Sequence, residues 1–183
     1  RFQALPLKLF IARWFEDYHE FHLSRKPPDA LPLIKIWDAG LNNNVLDTEQ
    51  AYSLYRYVSE ILTSYLDGRS FHQIYPWHHA AGDFVLRLQG TKVDLRLITV
   101  RDYRCLLAPG PDFENIWAAI LHFFLNLTIR IRLDRLDGTG ELAWAGADSL
   151  HGAIDGFFQA WLKKSAKHPH LPSSNEVLDV LHS

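Results

Sequence analysis

Methionine is absent from this chain, and cysteine occurs once, as Cys105. A single thiol closes no intrachain disulfide, which excludes the stapled frameworks of small secreted domains. Its apolar setting, Tyr103-Arg104-Cys105-Leu106-Leu107, reads as a small buried hydrophobe in a reducing compartment, the cytoplasm. Long apolar runs are missing too. The most apolar one, Ile116 to Leu125, spans ten residues and contains His122, about half of the roughly 20 residues a membrane helix needs, so no membrane is expected. Neither charge sign dominates: 19 Lys and Arg against 21 Asp and Glu leave a net charge of -2. The basic residues are scattered, without the stripe that marks nucleic-acid binders, so no nucleic acid is expected either. Also absent are the Gly-rich phosphate loops, the G-x-S-x-G elbow, the H-E-x-x-H pair and paired C-x-x-C, with the enzyme classes they announce. The chain starts at Arg1 with neither an initiator methionine nor a signal-peptide pattern, and a preceding N-terminal portion is therefore expected.

What is present suits one α+β domain, mostly helical with a central β-hairpin: 183 residues, 48% of them hydrophobic. The expected parts are an N-terminal helix and extended segment over 1–46, a core over 47–164, and a connector with a short C-terminal helix over 165–183. Leu7, Phe10, Ile11, Trp14, Tyr18 and Phe21 recur at three-and-four spacing and predict a helix from about Pro6 to His22. Pro27-Pro28 breaks it, and Leu31 to Trp37 reads as extended. Asp47 with Gln50 forms a capping-box pattern ahead of the stripe Ala51, Leu54, Tyr55, Val58, Ile61, Leu62, Tyr65, which ends near Gly68. Arg69 to Gly82 has no period and reads as an ordered loop.

From Asp83 the period becomes two. Phe84, Leu86 and Leu88, then Val93, Leu95 and Leu97 across Gly90-Thr91-Lys92, predict the hairpin. The slip at Leu97-Ile98 predicts a bulge. Asp112 to Asp137 is mostly helical, although Leu127 to Leu133 also fits a strand. A helix from Asp148-Ser149 buries Leu150, Ile154, Phe157, Phe158 and Trp161, Lys163 to Pro172 connects, and Ser173 with Glu176 caps a last helix.

The loop Tyr75-Pro76-Trp77-His78-His79-Ala80-Ala81-Gly82-Asp83 concentrates groups able to move protons or bind metal. His78, His79 and Asp83 are the candidate acids, bases or ligands, with structural hydrogen bonding as the other use of the histidines, whose spacing matches no standard zinc signature. Thr99-Val100-Arg101-Asp102-Tyr103, past the bulge, is the second candidate, an Arg-Asp pair otherwise read as a surface ion pair. His19 and His22 are expected to face solvent. So is Arg130-Ile131-Arg132-Leu133-Asp134-Arg135, whose arginines would otherwise meet a phosphate. Trp14, Trp37, Trp117, Trp144 and Trp161 are expected in the core or at its rim.

In element order, a long helix to Gly68, a His-containing loop, Gly82-Asp83, a hairpin, Asp102 and several helices, the stretch Asp47 to Leu162 resembles the C-terminal lobe of protein-kinase-like phosphotransferases of the aminoglycoside and choline kinase type. The resemblance implies a catalytic-loop role for Asp83 and makes Asp102 the magnesium ligand of Mg/ATP. The candidate site adds the residues read above, His78 and His79 beside the catalytic Asp83 and Arg101 beside Asp102 as cofactor-binding. The sequence departs from the family where Ala81 stands for the loop His, Leu88 for the Asn, and Arg101-Asp102-Tyr103 for Asp-Phe-Gly. Three functions follow as expectations. The first is a divergent kinase-lobe-like phosphotransferase or an inactive member of that group. The second is a noncatalytic interaction or structural domain with a small-molecule or protein partner. The third is a metal-dependent hydrolase using His72, His78, His79 and Asp83.

Overall fold

A computed structural model describes residues 14–25, 30–37, 44–75 and 81–183. The class is mixed α+β, with the strands arranged in four antiparallel pairs. Helix α1, Thr48–Ser64, begins where the capping box predicts: Asp47 accepts from the Gln50 N–H, and the Gln50 side chain accepts from the Asp47 N–H. Helices α2, Ile116–Arg130, α3, Ala147–Lys167, and α4, Ser174–His182, follow, and α4 opens on the expected Ser173–Glu176 box.

The α1–α3 contact organises the rest, and small residues make it. The buried face of α3 contains Gly152, Ala153, Gly156, Phe157, Ala160 and Trp161, while Leu150, Ile154 and Phe158 of the expected stripe are only partly buried. A Cβ at Gly152 would overlap the Tyr52 carbonyl oxygen, and one at Gly156 that of Arg56. The two backbones therefore approach as closely as glycine alone permits. In the seam, the Ser59 hydroxyl donates to the Ala153 carbonyl at 2.6 Å. Along its edge, Tyr52 meets Asp155 at 2.6 Å, Arg56 meets Gln159 at 2.8 Å, and Lys163 meets Glu60 at 2.6 Å. The partner numbers climb together, so the helices run in the same direction. Everything between them is a crossover that must return the length of α1.

That crossover contains the expected hairpin, β4 (Phe84–Gln89) with β5 (Lys92–Leu97), turning through Gly90 at φ 62. The expected bulge is there as well: the N–H groups of Ile98 and Thr99 both donate to the Asp83 carbonyl, so two residues face one. The other pairs are β1 (Glu20–Ser24) with β2 (Leu33–Trp37), β3 (His72–Ile74) with β6 (Tyr103–Cys105), and β7 (Leu133–Arg135) with β8 (Leu142–Trp144). His19 exchanges both backbone bonds with Leu86, at 2.9 and 3.0 Å, joining the β1–β2 ribbon to β4.

Several expectations are corrected. The part of the Pro6–His22 helix within the described residues is no helix: Asp17 turns at φ 62 and β1 follows, because β2 supplies its backbone partners and Phe21 and Leu23 enter the core. Strand β3 forms inside the expected loop, paired by β6, and β7 takes the residues after α2. Helix α3 continues to Lys167, into the expected connector. Of the tryptophans, Trp161 is fully buried and Trp117 partly so, whereas Trp14, Trp37 and Trp144 are exposed. None of the described helices is long and apolar enough to cross a membrane.

The seam gives a sign test. In an exposed helix Gly→Ala stabilises by about 1 kcal/mol. Gly156→Ala should instead cost roughly 2–3 kcal/mol, because the added methyl meets backbone that cannot rotate aside. Gly146→Ser, at the open N-cap of α3, should be near neutral. Urea unfolding of both variants provides the check.

Candidate functional site

The β3–β6 ribbon and the base of the β4–β5 hairpin hold most of the residues marked by the sequence. Asp83 is 4% exposed, and its Oδ1 accepts from Arg101 Nε at 3.1 Å and Nη2 at 2.9 Å. These two predicted residues are brought together. Asp102 is exposed and does not join them. Its Oδ1 accepts from the Tyr103 N–H at 2.8 Å, its Oδ2 lies 3.4 Å from Arg104 Nε, and its carbonyl accepts from the Tyr75 N–H. His78 and His79 lie outside the described residues. Among those described, no three His, Cys, Asp or Glu side chains group as metal ligands would.

His72 sits in a turn that superficially resembles a nucleophile site. Its Nδ1 is 2.8 Å from the Ser70 hydroxyl, which donates to Asp67 Oδ1 at 2.8 Å. The hydroxyl proton goes to the carboxylate, so His72 Nδ1 donates to Ser70 and does not act on it as a base. Asp67 Oδ1 also accepts from the N–H groups of Ser70 and Arg69. The Ser70 N–H foremost, then its hydroxyl, holds the Asp67 carboxyl down at about 2. This is a charged turn clamp, with Phe71 at φ 54 inside it. Beside it Tyr75 lies under two guanidiniums, Arg104 at 5.0 Å and Arg130 at 5.7 Å from its ring centre.

Two clusters escaped the sequence reading. His22, expected in solvent, is buried: its Nδ1 lies 3.1 Å from Oδ2 of Asp134, itself 3% exposed, and its ring packs on Trp37 at 4.1 Å. Asp134 also accepts from the N–H groups of Leu23 and Arg135. Arg132, likewise expected in solvent, is partly buried and bonds Ser149 and the Ala145 carbonyl. No local pattern announces a carboxylate two of whose partners, Leu23 and His22, stand 111 and 112 positions away.

The second cluster fixes the leading segment on the hairpin. The Tyr18 hydroxyl donates to Asp94 Oδ2 at 2.5 Å, and Asp94 also holds Arg96 at 2.8 Å and Arg87 at 3.3 Å. Both guanidiniums lie over the Tyr18 ring, at 5.4 and 4.8 Å. Burial works to raise the Asp94 carboxyl, but the Tyr18 hydroxyl and the two arginines outweigh it and keep it below its ordinary value. Tyr18 moves up, by burial first and then by its bond to Asp94. Past this lock lies a groove of about 510 Å³ walled by Trp14, Phe15, Tyr18, Val85, Leu97 and Ile98, with Glu20 at its side. That volume falls within the range of small-ligand sites.

No family model, curated protein or solved structure matches this chain. The chemistry of the site therefore rests on the residues themselves.

The Asp67 clamp predicts a pH effect. A carboxyl held below its unfolded value near 3.8 stabilises the fold above that value and loses this as pH falls toward about 2. Asp67→Asn should thus be less stable than the parent at pH 7, with the gap closing as pH drops from 5 to 2. Urea midpoints across that range measure it.

Proposed function

We propose that this domain works by binding a partner, as a noncatalytic interaction module. One observation carries the reading: the candidate catalytic carboxylate, Asp83, is buried and occupied by Arg101. A general base must reach the proton it removes, at about 2.6–3.2 Å from its donor. Here both guanidinium bonds take Asp83 Oδ1, and the carbonyl of the same residue holds the end of β5. Asp83 is thereby a hinge pin of the hairpin. The aromatic groove beside it supplies a surface suited to a ligand.

The phosphotransferase reading is the second, favoured by the order α1, hairpin, helices, with Asp83 just before β4 and Asp102 after β5, next to β6. On that reading Asp102 and Arg101 hold Mg/ATP.

A thermal-shift series with ATP and magnesium, then manganese and zinc, together with a nucleotide-turnover assay, separates the two. The binding module gives no shift and no turnover. Asp83→Asn then lowers stability by roughly 1–2 kcal/mol, because Arg101 is half exposed and regains water. Nucleotide-dependent turnover that Asp83→Asn abolishes would reverse the assignment.

A further inference from the structure

We infer that the groove beside the leading segment is a site for an organic cation with an apolar body, such as an aromatic or aliphatic amine. This rests on the reading of the domain as a binding module and gives that module a ligand class.

The walls come from opposite sides. Val85, Leu97 and Ile98 line it from the hairpin, and Trp14, Phe15 and Tyr18 from the segment that the Tyr18–Asp94 bond fixes across the outer hairpin face. Trp14 is 83% exposed, five residues before the backbone pairing of His19 with Leu86 begins. Among the described residues, Glu20 is the one charged residue lining this groove. Among the described residues its carboxylate meets neither Lys nor Arg, only His22 Nε2 at 3.8 Å.

The neighbouring arginines do not serve the groove. Arg87 and Arg96 line an adjoining, more polar cleft with Glu16 and Asp17 on the other side of the shared Trp14, Phe15 and Tyr18, and Asp94 holds both arginines. The groove therefore combines aromatic faces with a carboxylate that no described Lys or Arg meets, two features that attract an organic cation. A neutral apolar ligand would use the walls and leave Glu20 idle. An anion would oppose it.

The test uses three probes of one shape, phenethylammonium, 2-phenylethanol and phenylacetate, titrated into the protein at pH 7 and followed by calorimetry. The ammonium should bind about fivefold or more tighter than the alcohol, with phenylacetate weakest. Glu20→Gln should erase the preference for the ammonium, and Glu20→Lys should transfer it to phenylacetate. Trp14→Ala should weaken all three probes. Far-UV circular dichroism confirms that the variants, altered at exposed positions, stay folded. Equal binding of the ammonium and the alcohol, or a preference that survives Glu20→Gln, overturns the cation assignment while leaving the domain a binding module. Absence of binding by every probe, with stabilisation by ATP and magnesium, overturns both readings.

Discussion

The closeness of α1 and α3 sets the frame. Two helices running in the same direction at glycine contact leave no freedom of register, since Gly152 and Gly156 each receive a carbonyl of α1. The register is then fixed at the far end by Lys164, whose ammonium donates to the carbonyls of Ser64 at 3.2 Å and Leu66 at 2.5 Å, where α1 ends and its own N–H donors no longer reach. Burial lowers the Lys164 ammonium, and Asp67 works against that shift. His170 closes the same end by bonding the Gly68 carbonyl at 2.8 Å. The turn containing Asp67 and Ser70, and the strand β3 that leaves it, are thus positioned by the C-terminal half of the chain. The ribbon around Tyr75 and Tyr103 depends on a contact made far from it.

Asp83 and Asp134 show two ways of burying a carboxylate in such a frame. Each is nearly inaccessible, and each gathers donors from segments distant in sequence. An isolated carboxylate in an apolar setting carries a large desolvation cost, so these positions are tolerable only with their partners in place. Asp134 ties β1 to β7 through the Leu23 N–H and His22, and so decides where the β1–β2 ribbon lies. Asp83 ties the start of β4 to the residues after β5, through its carbonyl as well as its side chain. Where both partners are buried, as His22 and Asp134 are, removing one is more damaging than replacing both, whereas Arg101 is half exposed and regains water when Asp83 is lost.

The features legible in the sequence are those settled by a few neighbouring residues. The Asp47–Gln50 and Ser173–Glu176 boxes, the Gly90 turn with its flanking alternation and the bulge after Leu97 are local devices, and each stands where the pattern placed it. The misreadings share a cause. Strand β1 looked helical because Phe21 continues the three-and-four spacing of Trp14 and Tyr18, and its pairing with β2 lies across Pro27-Pro28. Strands β3 and β6 have three residues each, too few to show a period, and specify each other across the hairpin. The α3 stripe was misassigned because a search for large apolar residues cannot see a contact made where side chains are missing. Asp134 was taken for a surface charge in a run of arginines, one of which, Arg132, is itself drawn inward to Ser149 and the Ala145 carbonyl. In the candidate site, the ion pair of Asp83 with Arg101 joins two of the residues marked in advance, while the groove is assembled from segments no sequence window contains together.

The Tyr18 lock explains why the leading segment bears on that groove at all. A phenol held above its ordinary value keeps its proton and donates, and a carboxyl held below its ordinary value stays ionised and accepts, so the bond persists across the neutral range. The ring that makes the bond is flanked by two arginines which the same Asp94 neutralises in part. Positive charge is thereby kept on the Arg87–Arg96 side of Tyr18, while Glu20, two positions along, belongs to the other cavity. Tyr18, with Trp14 and Phe15, stands between a charge-compensated cleft and an apolar one bearing an acid. A segment needed only to cover the hairpin would turn its largest apolar side chains onto it. Tyr18 accomplishes the covering, and Trp14 is left exposed where it lines both cavities.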